Sequence, residues 1–77
     1  MKVKIKYFGM LSEVTNCEEE TIDFSESHIS ELLEKLCIKY PNLRNKDFQV
    51  AQNQELVSFD TELSSNELVL LPPFSGG

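Results

Sequence analysis

Residues 67–73 read ELVLLPP, and the four apolar positions at their centre decide how the rest of the chain must be arranged. In an extended strand Leu68 and Leu70 point to one side, Val69 and Leu71 to the other. Both faces are then apolar and dry, which places the strand inside a sheet rather than at its edge. Pro72 and Pro73 end the pairing, because proline has no N–H to donate.

Working back along the chain, KVKIKYF at residues 2–8 alternates strictly through Tyr7. Val3, Ile5 and Tyr7 share one face and Lys2, Lys4 and Lys6 the other, the pattern of a strand with one wet side. Gly9 breaks it, and MLSEV at 10–14 suits a short helical turn. EEETIDF at 18–24 reads as a second strand, with β-branched Thr21 and Ile22. The connecting length suggests an antiparallel hairpin with the first.

SESHISELLEKLCIKYP at 25–41 is the main helix. Ile29, Leu32, Leu33, Leu36, Cys37 and Tyr40 recur at helical spacing on one apolar face. Ser27 is the expected N-cap, and Pro41 the stop. FQVAQNQELVSF at 48–59 reads as a hairpin turning at Asn53-Gln54. The element order is β-β-α-β-β-β with one helix to cover one face. This is an α+β, two-layer fold, with the first and last strands side by side in mid-sheet. Residues 1–71 form the domain and 72–77 an extended C-terminal tail.

The composition bounds the function. Seven basic and thirteen acidic side chains leave a net charge of −6, and an acidic surface repels phosphate backbones. Nucleic acid is therefore excluded as a partner, and basic protein surfaces are favoured. No apolar run approaches the ~18 residues of a membrane span, and no secretory leader is expected at the N-terminus. Cys17 and Cys37 have no zinc or redox spacing, so reduced thiols and a cytoplasmic setting are expected. No metal site is expected. His28 stands at a helix start with no acid or nucleophile at motif spacing. Glu18, Glu19 and Glu20 split between two strand faces and read as solvated or partner-facing.

The tail carries the chemistry. Its prolines hold its base extended, and six residues reach roughly 20 Å. Phe74 is its one large anchor, while Ser75, Gly76 and Gly77 slip into a slot that a Cβ would block. The handle at the tip is the Gly77 α-carboxylate, inert until activated, for example as an acyl-adenylate.

LLPPFSGG at 70–77, NQELVSFD at 53–60 and the β-β-α-β order over the whole chain resemble the small-subunit family of molybdopterin synthase. The resemblance implies a ubiquitin-like β-grasp fold with a mixed sheet on one main helix and a flexible Gly-Gly tail. It implies a sulfur carrier in molybdenum cofactor biosynthesis. An adenylating enzyme using ATP and Mg²⁺ would activate Gly77, and a sulfur donor would convert it to a thiocarboxylate. The loaded tail would then pass sulfur to cyclic pyranopterin monophosphate on the large subunit, which supplies the catalytic residues. The chain itself would bind no cofactor, and the family assembly is a heterotetramer. The alternatives are the sulfur carrier of thiamine biosynthesis, which the Pro-Pro-Phe segment argues against, and a ubiquitin-like modifier joined to lysines.

The expected docking surface is Phe8, Leu56 and Leu71 on the outward parity of their strands. It continues through Pro72, Pro73, Phe74, Ser75 and Gly76 to Gly77.

Overall fold

The computed structural model of the protein describes residues 2–25 and 27–73. The tail residues Phe74, Ser75, Gly76 and Gly77 lie outside them. Five strands form one mixed sheet: β1 (Lys2–Tyr7), β2 (Glu19–Asp23), β3 (Gln49–Gln52), β4 (Glu55–Val57) and β5 (Glu67–Leu71). Their order across the sheet is β2-β1-β5-β3-β4. Helix α1 (Met10–Thr15) follows β1, α2 (Ile29–Lys39) follows β2, and a 3-10 turn at Pro41–Asn45 leads into β3. The fold is the expected ubiquitin-like β-grasp.

The centre of the sheet is the parallel pair β1–β5, in the register Lys4↔Glu67, Ile5↔Leu68, Lys6↔Val69 and Tyr7↔Leu70. β2 flanks β1 antiparallel, and β3 flanks β5 antiparallel. The alternation in β1 thus becomes one buried row of Val3, Ile5 and Tyr7 beside Leu68, Leu70 and Val50. Ile29, Leu32, Leu33 and Leu36 of α2 join the same core, closed by Leu11 of α1 and Leu43 of the 3-10 turn. Burying such a side chain contributes about 2 kcal/mol, so this single layer of apolar contact supplies most of the driving force.

One expectation about the helix start is corrected. The N-cap is His28, one residue later than Ser27. The Ser27 carbonyl accepts the Leu63 N–H at 2.8 Å, and His28 bridges Glu62 in extended geometry. A tertiary contact thus holds residues 27–28 outside the helix. The Glu31 carboxylate accepts the His28 N–H at 3.0 Å and caps the first turn. Pro41 does stop α2, but the chain continues directly into the 3-10 turn with proline in its first positions.

The β3–β4 hairpin turns at Asn53-Gln54 as read from the sequence, with φ of 54° and 65°. Positive φ at both central residues is the mark of a type I′ turn, and glutamine is strained there. Gln52, just before the turn, is a buried polar residue that the periodicity did not flag. Its amide donates to the Glu62 carbonyl at 2.9 Å and accepts the Ser64 N–H at 3.0 Å. It thereby ties the 62–64 connector to the sheet.

The glutamate run is also corrected in part. Glu19 reaches solvent and pairs with Lys4 at 3.3 Å. Glu20 points the other way, its side chain only 14% exposed. One oxygen accepts the hydroxyls of Tyr7 at 2.7 Å and Tyr40 at 2.6 Å; the other accepts Lys39 Nζ at 2.6 Å. The two rings meet edge to face, 6.2 Å apart. This carboxylate clamps the edge strand β2 to the end of α2. Burial pushes its pKa up, but the bonds from Lys39, Tyr40 and Tyr7 outweigh burial and hold it below the usual range. Burial first, then the Glu20 carboxylate, pushes both tyrosine hydroxyls well above their ordinary value.

A carboxylate with a depressed folded pKa stabilises the fold above its unfolded pKa and loses that contribution as pH falls through the folded value. Glu20→Gln should therefore lose about 2 kcal/mol in urea titrations at pH 7, with the deficit shrinking below about pH 4. The tyrosines act oppositely: their raised folded values are lost as stability only as pH climbs beyond about 10. Gln54→Gly should gain about 0.5–1 kcal/mol by relieving the positive φ.

Candidate functional site

The helices and the core occupy one side of the sheet, and the other side is open. Its rows follow from the register: Lys6 lies beside Val69, Val69 beside Ala51, and Ala51 beside Leu56. Toward the upper end of β5, Leu71 lies beside Gln49, and the Phe8 N–H donates to the Leu70 carbonyl at 3.1 Å. Phe8 therefore extends the β1–β5 pairing and sits next to Leu71. None of Phe8, Ala51, Leu56, Val69 and Leu71 is buried, and Phe8 and Leu56 are 49% and 59% exposed.

This corrects the reading of β5 as dry on both faces. Leu68 and Leu70 are fully buried, whereas Val69 and Leu71 are only half-buried. With a single helical layer available, the second apolar face of the central strand has no intramolecular cover among the described residues. A contiguous uncovered apolar surface usually marks a place where another molecule sits. Ala51, Asn53, Leu56, Glu67, Val69 and Leu71 line a shallow groove across it.

The rest of the open face is charged and internally matched. Lys2 pairs with Asp23 at 3.1 Å, Lys4 with Glu19 at 3.3 Å, and Lys6 with Glu67 at 3.6 Å. Each pair is at least partly exposed, and each contributes little to stability. Their value is to keep the β1–β2 half polar, so that the uncovered apolar area is confined to the β5–β3–β4 half and to Phe8.

The tail base leaves from the edge of this patch. β5 ends at Leu71, and Pro72 and Pro73 follow outside the ladder. Pro72 packs on Gly9 in the β1–α1 turn. The structure therefore gathers Phe8, Leu71 and Pro72 around one point, with Leu56 farther along the same face across β3. Among the described residues no three His, Cys, Asp or Glu side chains converge as a metal site would require. Both cysteines are free thiols, half-buried at the margin of the core. No described helix is long and apolar enough to cross a membrane.

The signals missed in the sequence were Val69 and Ala51. Val69 was visible as the second apolar parity of β5. Ala51 is too small to stand out, and only the strand order places it between Val69 and Leu56.

The chain matches the ThiS family over residues 5–77. It is 32% identical over 84 aligned positions to a molybdopterin synthase sulfur carrier subunit from Caenorhabditis briggsae, spanning 100% of this chain and 99% of that one. A putative molybdopterin converting factor, subunit 1, from Pyrococcus furiosus superimposes with a TM-score of 0.86 at 26% identity, over 96% of this chain and 99% of that one. SAMP1 from Haloferax volcanii does so with a TM-score of 0.79 at 25% identity over the whole of both chains.

Truncating exposed patch residues should leave the fold intact. Phe8→Ala and Leu56→Ala are each expected to shift stability by no more than about 0.5 kcal/mol. Leu70→Ala, on the buried parity of the neighbouring strand, should lose about 3 kcal/mol. Urea unfolding midpoints of the three variants measure the contrast.

Proposed function

Because the chain belongs to the ThiS family, we propose that it is a sulfur carrier, the small subunit of a molybdopterin synthase, with the Gly77 α-carboxylate as its working group. One observation carries the reading: the central strand delivers its Pro-Pro exit at the rim of an uncovered apolar patch. A body that docks by that patch brings whatever follows Pro73 to its partner in the same event. The similarity to the C. briggsae sulfur carrier subunit over essentially both full lengths supports the same choice.

The chemistry follows from a carboxylate that must become an acyl donor. On a separate activating enzyme holding ATP and Mg²⁺, a Gly77 oxygen attacks the α-phosphorus and pyrophosphate leaves. A sulfur nucleophile at the oxidation level of hydrosulfide then attacks the acyl carbon, AMP leaves, and a thiocarboxylate remains. Gly76 and Gly77 present no side chain to hinder either attack.

On the large subunit the thiocarboxylate sulfur attacks an oxygen-bearing carbon of cyclic pyranopterin monophosphate, and a C–S bond replaces a C–O bond there, the oxygen leaving as water or with the phosphate group. Water then cleaves the resulting thioester, leaving sulfur on the product and returning the Gly77 carboxylate. Two loaded chains supply the two sulfurs of the dithiolene. The chain is the donating subunit, and the large subunit is the catalyst. Phe8, Leu56 and Leu71 form the docking contact, and residues 72–76 guide Gly77 into the partner. The assembly is a cytoplasmic heterotetramer built on a dimer of large subunits. The net charge of −6 favours docking on basic surfaces of both partners.

A second reading, a modifier conjugated to lysines, is favoured by the SAMP1 match. It shares the activation step and differs in the nucleophile, a lysine amine instead of sulfur. Incubation with ATP, the activating enzyme, a hydrosulfide-level sulfur donor and a lysine-bearing protein separates the two. Sulfur carriage yields a chain in which one oxygen is replaced by sulfur in intact mass, and modification yields lysine adducts.

Adding one alanine after Gly77 should reduce product formation by the reconstituted synthase to background. Full activity from the extended chain would overturn the assignment of the working carboxylate. Phe8→Ala and Leu71→Ala should each weaken binding to the large subunit by about tenfold or more in calorimetric titration, the loss typical of a buried interface anchor. Unchanged affinity would remove the patch from the interface.

A further inference from the structure

We infer that Gly9 is a positioning residue for the tail, its missing side chain forming the seat on which the Pro72 ring rests. The contact belongs to the fold itself, while its kinetic consequence rests on the sulfur-carrier reading.

Two independent features exclude a side chain at position 9. Gly9 adopts φ 60° and ψ −137°, a conformation L residues rarely enter. A Cβ placed there would also lie 2.7 Å from Pro72 Cγ and 3.6 Å from Pro72 Cδ. The first is well inside van der Waals contact. The Pro72 ring cannot rotate away as a flexible side chain would, because it closes on its own backbone nitrogen.

The seat itself is held in place. The Gly9 carbonyl accepts both the Ser12 N–H at 3.2 Å and the Ser12 hydroxyl at 2.8 Å. The Leu11 N–H donates to the Phe8 carbonyl at 3.2 Å, closing the turn one residue earlier. On the other side, Pro72 follows directly on a strand locked to β1 through the Phe8 N–H and the Leu70 carbonyl. A rigid ring therefore lies against a rigid turn. The contact limits the directions in which the chain can leave Pro73, and the carrier has an aimed tail base.

Aiming and docking are then separable. The patch residues govern how tightly the carrier binds. Gly9 governs how often a bound carrier presents its end productively, so its substitution should lower the saturating rate without a matching change in half-saturation. Misplacement by about 1 Å is enough to lose up to 10²-fold in rate, so even a small displacement of the tail base is measurable.

The test is a double-variant cycle of Gly9→Ala and Pro72→Ala, with loaded carrier reacted in single turnover with the large subunit and cyclic pyranopterin monophosphate. Gly9→Ala should lower the saturating rate by about tenfold with half-saturation changed less than twofold, and Pro72→Ala should lower the saturating rate as well. The double variant should be no slower than the slower single one, since removing the ring removes the clash. Multiplicative losses, or a Gly9→Ala variant that is folded and fully active, would overturn the seat.

If Gly9→Ala does not fold, Pro72→Ala is read together with nuclear Overhauser contacts between the Gly9 α-protons and the Pro72 ring of the unaltered carrier. A lowered saturating rate with those contacts present supports the seat, and an unchanged rate or absent contacts overturn it. If the unaltered carrier gives no product at all, the sulfur-carrier reading fails and the seat is judged without it. Nuclear Overhauser contacts between the Gly9 α-protons and the Pro72 ring, with non-additive unfolding midpoints across the cycle, then support it. Their absence overturns it.

Discussion

The parallel pairing of β1 with β5 is the constraint on which the molecule depends. It joins the two ends of the described chain at the centre of the sheet, and its register places Tyr7 beside Leu70. From that one alignment follow the continuous buried row on the core side and the contact of Phe8 with the end of β5. The position of Gly9 under Pro72 follows as well. A shift by one residue would reverse every side chain of β5 between core and open face. It would turn Val69 and Leu71 inward and carry Pro72 off its seat.

The two faces of the sheet divide the work. One face, under α2, is closed by shape-matched aliphatic side chains, and its polar members are satisfied individually. Gln52 serves the 62–64 connector, and Glu20 serves Tyr7, Tyr40 and Lys39. The other face is left half-finished by the scarcity of helix in so short a chain. Small domains bury a smaller share of their surface than large ones, and a central strand with two apolar faces cannot have both covered by one helical layer. The uncovered face is thus a consequence of size that a binding function can use.

The Gly9–Pro72 contact links these halves. The turn that carries Gly9 begins α1, whose Leu11 is in the core, and it ends the strand that carries Phe8, which is in the patch. Core packing therefore sets the turn, and the turn sets the base of the tail. What the fold contributes is the placement of the Pro72-Pro73 exit relative to one uncovered apolar patch.

Much of this was legible in the residues. The strict alternation of KVKIKY, the helical spacing of Ile29 through Leu36 and the doubled apolar parity of ELVLL are local patterns. Each reports which side of its own element faces the core. The breaks at Gly9, Asn53-Gln54 and Pro41 could be read because backbone geometry at those residue types is set within the residue itself. Tertiary structure alone decided what depends on partners distant in sequence. The helix is capped at His28 and not at Ser27 because the Leu63 N–H claims the Ser27 carbonyl. Glu20 turns inward because two tyrosines and a lysine converge on it. Ala51 joins the patch because β3 lies beside β5, and Pro72 rests on Gly9 because β1 lies on β5's other side. Periodicity records the direction of a side chain, but only the folded chain determines what that side chain meets.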